Sequence, residues 1–131
     1  MDTLYIAEDN ELDQRIIRFT LARYPLFGNI LFFNNGLALL NYLKSNRCDP
    51  LNLPDIILLD LQMPVLDGWD FLEEFDLLCA SFSKTIQVYV VTVSINPSDI
   101  KRAMAFHFVR DFISKPVTKE KLATISGQVF S

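Results

Sequence analysis

Short apolar runs alternate with amphipathic stretches from one end of the chain to the other. Thr3 to Ala7 has the apolar content of a strand, and Leu12 to Arg23 carries apolar residues at helical spacing with Asn10 placed to cap it. Pro25 and Gly28 break the chain before a second strand near Ile30 to Phe33. Gly36 leads into a short helix over Leu37 to Ser45, with Leu39, Leu40 and Leu43 on one side. A polar loop bearing Cys48, Pro50 and Pro54 delivers a third strand, which ends at Leu59. Gly68 to Cys79 is the clearest amphipathic helix: Phe71, Leu72, Phe75, Leu78 and Cys79 form one stripe. Gln87 to Val93 is a β-branched strand. Asn96-Pro97 caps and opens the next helix, since Pro at the first helical position gives up no needed hydrogen bond. Phe112-Ile113 is the core of a short fifth strand, and Thr118 caps a last helix bearing Leu122, Ile125 and Val129.

Five strand-then-helix units in a row predict an α/β fold, a parallel sheet with helices on both faces. Crossovers of this kind are right-handed, which leaves few arrangements. The five-stranded doubly wound solution has strand order 2-1-3-4-5, with a crevice between the first and third strands. At 131 residues, positions 1–131 read as one domain, and a hydrophobic share of 50% makes it globular rather than disordered. A net charge of −4 argues against nucleic acid or an anionic membrane as the main partner. No apolar run approaches the roughly 18 residues that cross a bilayer. Met1-Asp2-Thr3-Leu4 also lacks the features of a signal peptide, so a cytoplasmic location is expected. Cys48 and Cys79 show no metal-ligand spacing and read as reduced thiols, Cys79 as a filler on its helix.

Chemistry collects at one end of this sheet. Ile56-Ile57-Leu58-Leu59 is uninterrupted enough for a strand buried on both faces, and Asp60 ends it. Glu8 and Asp9 follow the first strand, Thr92 lies near the end of the fourth, and Lys115 follows the fifth. Open α/β sheets bind ligands beyond these carboxyl ends. Three carboxylates facing one another raise each other's pKa unless a cation sits among them. Oxygen-only ligands with room for water suit Mg²⁺. Asp60 is then a carboxylate nucleophile able to form an acyl phosphate. The Thr92 hydroxyl is placed to donate to that phosphoryl group, and Lys115 supplies a point charge for one of its oxygens.

This order and spacing resembles the receiver domain of two-component response regulators, a flavodoxin-like family, in its stand-alone form. The resemblance rests on Glu8-Asp9-Asn10, Asp60-x-x-Met63-Pro64-x-x-Asp67-Gly68, Thr92 and Lys115-Pro116, and it runs from Leu4 to Val129. It implies that Asp60 is the phosphoacceptor of a phosphorelay. It implies too that Glu8, Asp9, Asp60 and the main-chain carbonyl of Gln62 hold Mg²⁺. By the same resemblance a sensor histidine kinase or histidine phosphotransfer protein is the donor, and the chain is no enzyme beyond its own phosphorylation and dephosphorylation. A cis Lys115-Pro116 bond and a switching role for Phe112 are implied as well. Counting back from Lys115 by the family's spacing lands near Val93, so one residue is inserted; Thr92 is the expected hydroxyl and Ser94 the alternative. The family's frequent Gly before the fifth strand is absent, and Phe106-His107-Phe108-Val109-Arg110 stands there instead.

Blander readings bear on several of these residues. Asp67-Gly68 shapes the loop and starts the third helix. His107 continues the Ile100, Ala103, Met104 stripe and reads as a half-buried packing residue, and Trp69 reads as core. Lys101, Arg102, Arg110 and Lys119 put basic groups around the fourth helix and fifth strand, which suits an acidic downstream protein or a homodimer. A Mg²⁺-dependent phosphatase of the haloacid dehalogenase type also uses an aspartate nucleophile, but it needs an acid two residues later, where this chain has Gln62. A degenerate receiver is disfavoured by the intact acidic trio, Thr92 and Lys115.

Overall fold

The computed structural model describes residues 2–93 and 96–127; Ser94 and Val129 lie outside the described residues. The chain runs through β1 (Thr3–Ala7), α1 (Glu11–Arg23), β2 (Asn29–Phe33), α2 (Gly36–Ser45) and β3 (Ile56–Asp60). It continues through α3 (Gly68–Leu78), β4 (Gln87–Thr92), α4 (Pro97–Met104), β5 (Val109–Ser114) and α5 (Lys119–Ser126). Each helix starts where a side chain can take an orphan backbone N–H. Asn10 accepts from Asp13, Asn35 from Ala38, Asp67 from Asp70, Asn96 from Ser98 and Thr118 from Lys121. Caps of this kind are worth about 1 kcal/mol each. Asn35 is the one the hydrophobic pattern did not suggest, and it starts α2 a residue earlier than Leu37.

The strands form one parallel sheet in the order β2-β1-β3-β4-β5, the flavodoxin-like arrangement. Period-two alternation divides the core between its faces. Leu4, Ile6, Ile56 and Leu58 pack with Ile17 and Leu21 of α1 and Leu122 and Ile125 of α5. Tyr5, Ala7, Ile57 and Leu59 pack with Leu39, Leu40 and Leu43 of α2 and Phe71, Leu72 and Phe75 of α3. β3 is buried at all five positions, as its unbroken apolar run requires.

The fifth strand spans six residues around the expected Phe112-Ile113 core, and it carries a bulge: Val88 pairs with Val109, but Tyr89 pairs with Asp111. Arg110 is thus the extra residue in the ladder, and the bulge brings Thr92 opposite Ser114, next to Lys115. His107 is not on the α4 stripe. The helix ends at Met104, and the chain turns so that Phe108 can be buried with its ring 4.6 Å from Phe75. The His107 side chain is left 75% exposed, beside Asp76. Similarly, α3 closes at Leu78, and Cys79 begins a 3-10 turn as a half-buried free thiol.

Candidate functional site

The carboxyl ends of β1, β3, β4 and β5 bring the predicted residues to one place. Glu8 follows β1 directly and is 2% exposed, and Asp60 ends β3 and is 5% exposed. Asp9 beside them is open to solvent. One carboxylate oxygen from each of Glu8, Asp9 and Asp60 lies within 4.8 Å of the others. Ligands about 2.1 Å from an octahedral ion are separated by about 3–4 Å, so these three oxygens can close on one hard divalent cation with little movement. Glu8 is tied down from its backbone: its N–H donates to the Phe33 carbonyl at 3.0 Å, and its own carbonyl accepts from the Gln14 side chain. Its Oε2 accepts from the Asn10 N–H at 3.1 Å.

Lys115 is the charge that holds the acids together. Its Nζ lies 2.7 Å from Glu8 Oε1, 2.7 Å from Asp13 Oδ2 and 2.9 Å from Asp60 Oδ2. Burial pulls the ammonium's pKa down, but hydrogen bonds to Asp13, Glu8 and Asp60 outweigh this and hold it above its usual value. Glu8 shows the opposite balance. Burial and the neighbouring Asp60 carboxylate push it up to about 7 against the pull of Lys115. Without a metal, this cluster has more buried negative charge than one lysine can offset, which is the condition a divalent cation relieves.

The loop after Asp60 is shaped by its own sequence. The Gln62 N–H donates to Asp60 Oδ1 at 3.0 Å, so Gln62 sits at the acid through its backbone while its side chain is exposed. Leu66 N–H donates to the Pro64 carbonyl at 2.8 Å across Val65, whose φ is +71°, which makes a γ-turn of the strained hand. Gly68 then donates to the Leu61 carbonyl at 2.9 Å; a Cβ there would stand 2.5 Å from Leu61 Cα, so only glycine allows this close return.

Thr92 ends β4 and is 4% exposed, and its carbonyl accepts from Lys115 N–H at 2.8 Å. It lines a cleft of about 570 Å³ with Gln62, Met63, Trp69 and Asp99 among its other walls. Trp69 is half-buried under Arg102, whose guanidinium lies 4.1 Å from the ring centre, rather than sealed in the core. The Lys115-Pro116 bond is cis, and Phe112 is half-buried against the α2–α3 core. A larger hollow of about 870 Å³ opens at the other end of the sheet, around Gln87 and Val109, away from every acid of this cluster.

Asp13 is the participant that sequence reasoning missed. Its local signal, an acid in the first turn of α1, reads as an ordinary helix-dipole charge. Only the folded chain brings Lys115 to it.

Residues 4–126 match the family model for the response regulator receiver domain. The chain is 30% identical over 119 residues to the probable methanogenesis regulatory protein FilR2 of Methanothrix harundinacea, covering 91% of this chain and 75% of that protein. Response regulator Rcp1 of Synechocystis sp. is 28% identical over 109 residues, with 79% of this chain and 70% of that protein covered. A solved structure of the Mn²⁺-bound form of Rcp1 superposes with a TM-score of 0.75 at 25% identity, covering 97% of this chain and 91% of that one. The phosphorylated cyanobacterial phytochrome response regulator RcpA gives a TM-score of 0.74 at 30% identity, over 95% of this chain and 88% of that one. Among the described residues no helix is long and apolar enough to cross a membrane.

Proposed function

The chain belongs to the response regulator receiver domain family, whose members are generally non-enzymatic modules of two-component signalling, and we propose that it accepts a phosphoryl group on Asp60. The observation that carries this reading is an aspartate almost fully buried at the end of a central strand, 2.9 Å from a lysine and within a group of acids suited to a divalent cation. One carboxylate oxygen of Asp60 attacks the phosphorus of a phosphohistidine on a sensor kinase or phosphotransfer protein. The phosphorus–nitrogen bond breaks, the imidazole leaves with its electron pair, and an acyl phosphate remains. Glu8, Asp9, Asp60 and the carbonyl of Gln62 would hold Mg²⁺, which when bound supplies positive charge beside the transferring oxygens. Lys115 donates to one phosphoryl oxygen and Thr92 to another, and on the lysine's flank Ile16 and Ile17 of α1 with Pro116 and Val117 after β5 leave little space for water.

The same chemistry supplies a switch. A phosphoryl group that draws Thr92 inward leaves room for Phe112 to turn in, which changes the face made by α4, β5 and α5. The basic groups at Lys101, Arg102, Arg110 and Lys119 border that face and suit an acidic partner or a second copy. Intact mass after incubation with a small acyl phosphate and Mg²⁺ tests the reading. Wild type gains one phosphoryl group and Asp60→Asn gains none; equal labelling of the two would remove Asp60 from its role.

A further inference from the structure

The three N–H donors of the Lys115 ammonium meet three carboxylates, and only two of these belong to the acidic group that suits a cation. Asp60 is the proposed acceptor and Glu8 a proposed metal ligand, both almost fully buried. Asp13 is neither. It stands on the first turn of α1, its side chain 27% exposed, with Oδ2 2.7 Å from Nζ, as close as Glu8 and closer than Asp60. Little empty space is left beside the lysine on this flank: the hollow lined by Glu8, Asp13, Ile16, Lys115 and Pro116 amounts to about 10 Å³.

This has a consequence once the site is loaded. A dication held by Glu8, Asp9 and Asp60 would take up the charge of two of the lysine's partners and would repel the ammonium. Asp13 keeps its full charge for Lys115. We propose that Asp13 is a positioning residue that holds Lys115 at the acceptor carboxylate when a divalent cation is bound. The assignment deepens the phosphoacceptor reading and rests on it for its kinetic consequence, although the contact itself does not. With Asp13 in place, the lysine is aimed before the phosphoryl group arrives and no reorganisation is needed during transfer. A purely structural acid at this helix position would act through the helix N-terminus alone and would leave Lys115 unmoved.

The test pairs spectroscopy with kinetics on the whole chain. The ¹⁵N-labelled Lys115 ammonium is followed by NMR with and without Mg²⁺. In wild type its protons stay slow to exchange with water in both states. In Asp13→Asn the Mg²⁺-loaded signal is lost to exchange, and Asp13→Glu restores it. Labelling by a small acyl phosphate at saturating donor and Mg²⁺ slows about tenfold in Asp13→Asn and recovers to within about threefold in Asp13→Glu. In a Lys115→Met background the same Asp13→Asn change alters the rate less than twofold. An unchanged Lys115 signal in Asp13→Asn, or an equal rate loss in both backgrounds, overturns the proposal. Failure of wild type to take any label would count against the phosphoacceptor reading instead, and the NMR comparison would still decide the role of Asp13.

Discussion

The two flanks of Asp60 are built on opposite plans. Toward α1 and β5 the space is about 10 Å³, and a lysine 10% exposed is shared among three carboxylates. Toward β4 a cleft of about 570 Å³ opens beside Thr92, bordered by the exposed Gln62, Asp67 and Asn96 and the half-buried Trp69 and Asp99, over a floor that includes the buried Leu61 and Met63. Charge is therefore set in place on one side, while room for an incoming group and for movement is kept on the other. On the proposed phosphoacceptor reading, a site that both reacts and switches needs that division. Preorganised charge lowers the barrier to transfer, and a packed flank has only discrete arrangements, so displacement on the open side is not absorbed there.

The largest effect expected from breaking this division is a dependence on pH. The carboxyl of Glu8, raised to about 7, is protonated below that pH and then competes with any cation at the site. Mg²⁺ affinity should fall about tenfold per pH unit below 7, roughly 100-fold between pH 7 and 5, and level off above it. Metal-free stability runs the other way. Because the folded-state value lies above the unfolded one, the contribution of Glu8 is fully present near pH 4 and is lost as pH rises from about 4.5 to 7. The loss is at most about 3 kcal/mol, and Mg²⁺ should restore it. Titrations followed by Trp69 fluorescence and thermal melts across this range measure both. A flat affinity profile would mean that Glu8 is already ionised at pH 5.

A smaller effect is expected on removing the fixed cation. Lys115→Met takes away a charge that competes with a metal for Glu8 and Asp60, so Mg²⁺ affinity at pH 8 should rise about tenfold while metal-free stability drops by about 2 kcal/mol. Affinity unchanged in this variant would show that the two flanks are not electrically coupled.

How far this asymmetry could be read from the chain depends on distance along it. Asp60 and its loop are local features: a buried apolar strand, then Met63-Pro64 and Asp67-Gly68, whose turn and capping chemistry act within a few residues. They were legible for that reason. The strand order and the gathering of Glu8, Asp9, Asp60, Thr92 and Lys115 followed from the alternation of elements together with the handedness of crossovers. Asp13 was illegible because its partner is 102 residues away and nothing in its own surroundings distinguishes it from a helix-end acid. The bulge at Arg110 appeared only as a count out by one, since pairing across a sheet leaves no local mark. His107 was misplaced because helical periodicity continued past Met104 on paper, whereas burial of Phe108 decided where the helix stops.

The last and smallest effect concerns the loop that borders the open flank. Val65 holds φ at +71° to close the turn between Pro64 and Leu66, and it does so while 74% exposed. A β-branched residue in that region is strained by about 1–2 kcal/mol, and an exposed valine gains little burial in return. Val65→Gly removes the clash but gives the unfolded chain more freedom, which costs about 0.5–1 kcal/mol. The strain exceeds the entropy, so the variant should be more stable by about 0.5–1 kcal/mol, a rise of roughly 2–4 °C in a thermal melt. Val65→Ala keeps the positive-φ penalty and should not gain. If Val65→Gly instead melts lower, the turn is held by contacts of the valine side chain, and the loop on the open flank is packed rather than strained.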